Sequence, residues 1–149
     1  MAHSFERGGR LLTFGSGAGT TDAAHVAVEF MHPVIVGKRA IPSLALGVDA
    51  DSLRLLGRPD DVALGFAYGS ELDAISAAFV AARARGLLTI ALIAEDEAAA
   101  AVGAEHVLVA GSSDPRITKE LQVTTYHVLW ELTHVYLERS ALPTSAVVR

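Results

Sequence analysis

The chain has no cysteine. Disulfides and thiolate chemistry are therefore excluded, and cysteine usage says nothing about the redox compartment. Charge is also sparse: Asp, Glu, Lys and Arg make up 19% of the residues and sum to −5. That balance argues against direct nucleic-acid binding, although it leaves room for a local basic spot, the strongest being Gly37-Lys38-Arg39. No apolar run approaches the ~18 residues of a membrane-spanning helix, so no membrane association is expected. The opening residues, Met1-Ala2-His3-Ser4-Phe5-Glu6-Arg7, lack the apolar core of a secretory signal. A cytoplasmic location is the expectation. No low-complexity linker divides the chain, and its 149 residues read as a single domain, 1–149, with 140–149 a flexible tail.

What the chain has is hydrophobic residues, 51% of the total, in short runs separated by glycine, proline and polar turns. Residues 1–9 read as the end of a helix stopped at Gly8-Gly9, which suggests more helix upstream. Strands are expected at Arg10–Phe14, Ser43–Val48, Val62–Phe66, Leu87–Ile93 and His106–Ala110. Helices are expected from about Thr20 to Met31, from Glu71 to Arg85, at Glu95–Val102 and from Pro115 to Arg139. In the Glu71–Arg85 segment, Leu72, Ile75, Phe79 and Val80 keep helical spacing. Asp49 to Asp61 reads as a polar loop with at most one turn at Leu53–Leu56. The near-continuous apolar run Leu87–Ile93 suits a parallel strand buried on both faces. Strands alternating with helices predict an α/β fold with right-handed crossovers. In such folds ligands bind beyond the carboxyl ends of the strands. Three loops meet that edge: 15–21, 67–70 and 111–116.

The organising stretch is Leu11 to Glu29: an apolar strand, the turn Gly15-Ser16-Gly17-Ala18-Gly19, then Thr20-Thr21-Asp22 as helix-start residues. The turn is neither the dinucleotide fingerprint, whose third glycine falls one residue later, nor a P-loop, which needs a following Gly-Lys-Ser/Thr. No nucleotide cofactor is expected. Two readings remain: a phosphate cradle at a helix N-terminus, or a tight turn and no more. On the helix that follows, His25 and Glu29 share a face at i, i+4. The pattern His25-x-x-x-Glu29-x-x-His32 then recurs as His127-x-x-x-Glu131-x-x-His134, with Glu138 extending it. The two stripes are either partly exposed helix faces or opposing walls of an acid–base or metal site. A single divalent ion held by His and Glu suits the residue types; a dinuclear site is the rarer option. His3 reads as surface, His106 as structural, and Tyr68 as either a packing or a ligand-contacting group.

These residues carry a resemblance to the sugar isomerase (SIS) domain and, within it, to the phosphoheptose isomerases. Phe5-x-x-Gly8-Gly9-Arg10-Leu11-Leu12, the stretch Gly15-Ser16-Gly17-Ala18-Gly19-x-x-Asp22-Ala23-x-His25-x-Ala27-x-Glu29, Ala81-Ala82-Arg83-Ala84-Arg85-Gly86-Leu87 and His127-Val128-Leu129-Trp130-Glu131-Leu132 are similar to the family's motifs. The resemblance implies a three-layer α/β/α, flavodoxin-like SIS domain with a five-stranded parallel sheet. It implies aldose–ketose isomerisation of a sugar phosphate through an enediol, with Glu29 as base and His127 as acid. Ser16, Gly17, Gly19, Thr20, Thr21 and Ser70 are the implied substrate-binding residues. His25, Glu29 and His127 fall on three ligand positions for a divalent metal, zinc foremost. A small phosphorylated sugar, or none, is the implied ligand, and a homodimer or homotetramer the implied assembly. The chain also departs from the family. Lys119 stands at the fourth ligand position, a glutamine in the family, and Gln122 lies one turn later. Gly19 replaces a serine. The second loop, Ala67-Tyr68-Gly69-Ser70-Glu71, keeps a single hydroxyl on a serine where the family is rich in Ser and Thr. A stretch between strands two and three and the long N-terminal helix have no counterpart. The departures suggest an alternative: a non-catalytic SIS module acting as a sugar-phosphate sensor, or as an oligomeric adaptor or regulator.

Overall fold

All five strands of the sheet run parallel, in the order β2-β1-β3-β4-β5. In the computed structural model, which describes residues 1–68, 72–94 and 102–141, they are β1 (Leu11–Gly15), β2 (Ser43–Leu46), β3 (Val62–Ala67), β4 (Leu88–Ile93) and β5 (His106–Val109). The helices are α1 (Ala2–Glu6), α2 (Ala18–Met31), α3 (Ala50–Leu56), α4 (Leu72–Ala84) and α5 (Pro115–Ala141). Successive side chains of a strand point to opposite faces, and the core divides accordingly. Leu12 and Phe14 of β1 pack with Leu53 of α3 and Ile75, Ala78 and Phe79 of α4. Leu11 of β1 and Leu64 and Phe66 of β3 pack with Phe5 of α1, Val26 and Phe30 of α2, and Tyr126 and Trp130 of α5. Two helix layers thus sandwich the sheet, as the α/β/α expectation requires.

The strand order has a physical consequence. The chain leaves β1 to one side for β2 and returns to the other side for β3, so β1 and β3 flank a switch point. Their carboxyl ends diverge into separate loops and leave a crevice. The turn after β1 and Tyr68 after β3 both lie there.

Three expected boundaries shift. The segment after β2 holds a helix, α3, where a polar loop with one turn at Leu53–Leu56 was expected. The side chain of Asp49 accepts hydrogen bonds from the backbone N–H groups of Asp51 at 2.9 Å and Ser52 at 3.1 Å, a helix N-cap that starts the segment. Helix α2 begins at Ala18 rather than near Thr20, with Gly17 (φ 53°) as the residue before it. That positive φ favours glycine. The threonines expected to start the helix lie in its first turn, their hydroxyls turned onto the carbonyls of Gly15 (3.0 Å) and Ala18 (2.8 Å). Helix α5 runs through Ala141, so the first two residues of the expected tail are helical. Residues 142–149 and most of the expected Glu95–Val102 helix lie outside the described residues, as does the start expected for α4 at Glu71.

One buried ion pair anchors the amino ends of β1 and β3. Asp61, 1% exposed, accepts from the Arg10 N–H at 2.8 Å, from Arg10 Nη2 at 2.6 Å and from the Arg58 N–H at 3.0 Å. No described helix is long and apolar enough to cross a membrane.

Candidate functional site

Helices α2 and α5 pack side by side on one face of the sheet, and the site lies in the seam between them. Glu29 is the centre. Its Oε1 meets His25 Nε2 at 3.0 Å and His127 Nε2 at 3.0 Å. The first contact follows from helical periodicity, since residues i and i+4 are neighbours on a helix surface. The second joins residues 98 positions apart and depends wholly on the packing of the two helices. Trp130, one turn beyond His127, donates its indole N–H to the Glu29 carbonyl at 3.1 Å. Tyr126 lies 3.0 Å from His25 Nδ1 through its hydroxyl. Burial, followed by the negative charges of Asp22 and Glu29, pushes the Tyr126 phenol upward. It therefore stays protonated and steers the His25 ring. Glu29, Val34, His127, Trp130 and Glu131 line a hollow of about 250 Å³. The carboxylate and the imidazole thus share a cavity within one subunit.

A larger cavity, about 780 Å³, opens beyond the first turn of α2. Ala18, Thr21, Tyr68, Ser112, Thr118 and Lys119 are among its walls. Of the first-loop residues named from the sequence, Thr21 faces it. Ser16, Gly17 and Thr20 lie at the accessible rim of the loop, whereas Gly19 is buried. A Cβ at Gly19 would come within 2.8 Å of the Phe66 carbonyl oxygen, so this glycine is where α2 closes on β3. Ser70 lies outside the described residues.

The imidazoles and carboxylate suit a metal. One ligand atom from each of His25, Glu29 and His127 lies within 4.8 Å of the others. Two histidines and a glutamate form a known zinc donor set, with a fourth position left open for water or substrate. The Tyr126 hydroxyl on His25 Nδ1 is the kind of outer contact that orients a ligating imidazole. Lys119, which the resemblance sets at a fourth ligand position, pairs with Asp22. Gln122, one turn later, is fully buried; its Nε2 donates to the Ala67 carbonyl at 3.5 Å, and its Oε1 has no hydrogen-bond partner among the described residues.

The second H-x-x-x-E-x-x-H stripe does not repeat the first. His127 enters the site. Glu131 and Glu138 both pair with Lys38, at 3.4 Å and 3.0 Å. His134 is 1% exposed and places its two ring nitrogens on the carbonyls of Trp130 (2.9 Å) and Arg39 (3.0 Å). His32 ends α2 at the surface. Among the described residues one His/Glu cluster stands, not the two facing stripes of a dinuclear centre.

Sequence reasoning missed Tyr126 and Trp130 as parts of the site, and missed that Asp22 is paired. The helical spacing of Tyr126 and Trp130 marks only a packed face, and nothing local distinguishes a packing aromatic from one that orients a histidine.

No family model matches the chain. Among curated proteins it is similar to the phosphoheptose isomerase of Desulfovibrio desulfuricans, 32% identical over 92% of this chain and 73% of that one. Among solved structures it is similar to the phosphoheptose isomerase of Francisella tularensis, with a TM-score of 0.75 at 18% identity over 90% of this chain and 81% of that one. The phosphoheptose isomerase of Neisseria gonorrhoeae gives a TM-score of 0.75 at 19% identity, covering 89% and 80% of the two chains.

Proposed function

The chain belongs to the phosphoheptose isomerase family of SIS domains, and from that premise we propose that it interconverts the aldose and ketose forms of a sugar phosphate. The observation that carries the reading is the Glu29 carboxylate held between two imidazoles at 3.0 Å each, on the wall of a hollow it shares with His127.

Isomerisation moves one hydrogen between adjacent carbons. A base removes the proton from the carbon beside the carbonyl, the C–H electrons form the C=C bond of an enediol, and the carbonyl oxygen takes up a proton. Reprotonation at the other carbon, with loss of the proton from the hydroxyl on the first carbon as its new C=O bond forms, completes the exchange. Glu29 fits the base. Its Oε1 is engaged by both histidines, and among the described residues Oε2 has no hydrogen-bond partner. His127 fits the acid that serves the oxygens, being within hydrogen-bond reach of the base and on the same cavity wall. His25, fixed by Tyr126, holds Glu29 in place. His25, Glu29 and His127 are also the residues that would hold a divalent ion, zinc foremost. When bound, such an ion supplies Lewis-acid polarisation of the carbonyl.

Proton exchange in D2O tests this directly. Wild-type protein incubated with a panel of five- to seven-carbon sugar phosphates is expected to place deuterium on the carbon beside the carbonyl of one of them, read by NMR. Glu29→Gln keeps the shape and removes the base, and is expected to slow exchange about 10²–10⁴-fold. Exchange that persists unchanged in Glu29→Gln would overturn the assignment. Binding of a sugar phosphate without any exchange would instead identify a sensor. A homodimer or homotetramer is part of the proposal, supported by the apolar side chains that α2 and α5 expose, Val28, Met31, Val128, Leu132 and Tyr136; light scattering on the eluting protein measures it.

A further inference from the structure

Two of the residues that break the family's pattern meet on a single side chain. Asp22 is 2% exposed. One of its carboxylate oxygens takes the ammonium of Lys119, and the other takes the hydroxyl of Tyr68. The three residues come from α2, α5 and the end of β3, elements that converge on the crevice at the carboxyl edge of the sheet. The Lys119 ammonium also lies 5.4 Å from the centroid of the Tyr68 ring, within range of a cation–π contact.

We propose that Lys119 is the residue that binds the anionic end of the substrate, a phosphate ester, in the 780 Å³ cavity, and that Asp22 and Tyr68 hold its ammonium in position. The proposal rests on the reading of the chain as a protein that acts on sugar phosphates.

The Asp22 side chain is 3% exposed and the Lys119 side chain 34%. With both carboxylate oxygens taken, the group this pair turns to the cavity is the ammonium. An ammonium has three donors. One goes to Asp22; among the described residues the other two have only the Ala18 carbonyl at 3.4 Å and the Thr21 hydroxyl at 3.5 Å. Those contacts are long beside the 2.7–2.9 Å of an ammonium on a phosphate oxygen, so a phosphate would gain by replacing them. Burial, then the Asp22 carboxylate, raises the Tyr68 phenol, which therefore stays a donor to Asp22 rather than adding a negative charge. Thr21, Ser112 and Thr118 add hydroxyls to the same walls; among the described residues the other charged groups there are Arg116, already tied to Asp114 at 2.7 Å, and Glu120. The position also fits. Asp22 and Glu29 are seven residues apart on α2, about 10 Å along the axis at 1.5 Å per residue. An anion at Lys119 would sit about a sugar's length from the carboxylate proposed to remove the proton.

The test compares Lys119→Met with Lys119→Arg, using inorganic phosphate as the probe in calorimetry at constant ionic strength. Lys119→Met is expected to weaken phosphate binding about tenfold or more, the loss of one charge-assisted hydrogen bond. Lys119→Arg is expected to stay within about threefold. Lys119→Met leaves Asp22 unpaired, so the double variant Asp22→Asn/Lys119→Met, which carries no orphaned charge, is measured beside it and is expected to show the same loss. Phosphate binding that is indifferent to Lys119→Met and to the double variant overturns the proposal, as does wild-type protein that binds no phosphate at about 10 mM. The two readings separate cleanly. Lys119-dependent phosphate binding with no deuterium exchange would sink the isomerase reading and leave this site standing. Exchange with phosphate binding independent of Lys119 would do the reverse.

Discussion

Restoring the serine that the family carries in place of Gly19 is the obvious way to strengthen a phosphate-binding loop, and the structure predicts that it will do harm. Gly19 lies in the first turn of α2 with its Cα against β3. A Cβ built there would lie 2.8 Å from the Phe66 carbonyl oxygen and 3.0 Å from Phe66 Cβ. Neither atom can yield easily. Phe66 pairs with Gly15 on one side and Leu92 on the other, so β3 is pinned between two strands, and the Phe66 ring is fully buried. The helix must give way instead. Overpacking of this kind costs about 1–3 kcal/mol. At the size of this domain that is a fall in Tm of roughly 2–12 °C. Because the clash is at Cβ, Gly19→Ala and Gly19→Ser should lose similar amounts in urea and thermal unfolding. The displaced helix carries Asp22, His25 and Glu29, so phosphate binding should weaken in Gly19→Ser, not strengthen. A serine variant as stable as wild type that binds phosphate more tightly would show that the close approach of α2 to β3 is not what requires glycine here.

Asp61→Ala should be among the most damaging single changes, at about 3–5 kcal/mol in urea unfolding, because it strands the Arg10 guanidinium and two backbone N–H groups that now share one buried carboxylate. His134→Ala removes the buried ring that ties α5 to the Arg39 carbonyl and contacts the Trp130 carbonyl of its own helix and should cost about 2 kcal/mol or more, whereas His32→Ala, at the surface, should stay within about 0.5 kcal/mol. The Asp49 carboxyl lies below its ordinary range, held there by the Ser52 hydroxyl and then the Asp51 N–H. A lowered folded value means that the stabilisation from this cap is present above the ordinary pKa of 3.8 and is lost as pH falls through the folded pKa. The Tm difference between wild type and Asp49→Ala should accordingly be present at neutral pH and shrink in acid.

The parts legible in the sequence are those whose signal is local. Leu11 to Phe14 followed by Gly15 reads as a buried strand entering a turn because an apolar run and a glycine need no partner to be interpreted. Helix α3 was illegible for the opposite reason. Its start depends on the Asp49 side chain folding back onto two N–H groups, and Asp49 among other polar residues reads as well as a loop. At the site, the His25/Glu29 pair followed from helical spacing, while the partnership of Glu29 with His127 was one of two readings of the repeated stripe and took its roles from resemblance to a family. Identical spacing in the second stripe served other ends, since Glu131 and Glu138 face Lys38 and His134 lies under Trp130. The Lys119 and Tyr68 departures looked like separate losses in the sequence. Only packing brings them onto Asp22.

The seam between α2 and α5 complicates any claim about catalysis from loss of activity alone. Beside the apolar packing of Val26 and Phe30 with Tyr126 and Trp130, polar contacts cross it: Asp22 with Lys119, His25 with Tyr126, Glu29 with His127, and the Glu29 carbonyl with Trp130. The residues proposed to handle protons are therefore also among those that join the two helices. A structural ion pair and a catalytic pair would both fail on truncation to alanine. They differ under a change that keeps hydrogen bonding but removes the ability to take up a proton. Glu29→Gln retains an oxygen acceptor for the two imidazoles, so a structural role predicts little loss of stability and little loss of activity. A catalytic role predicts little loss of stability with proton exchange nearly abolished. The ratio of the two effects distinguishes them; neither effect alone does.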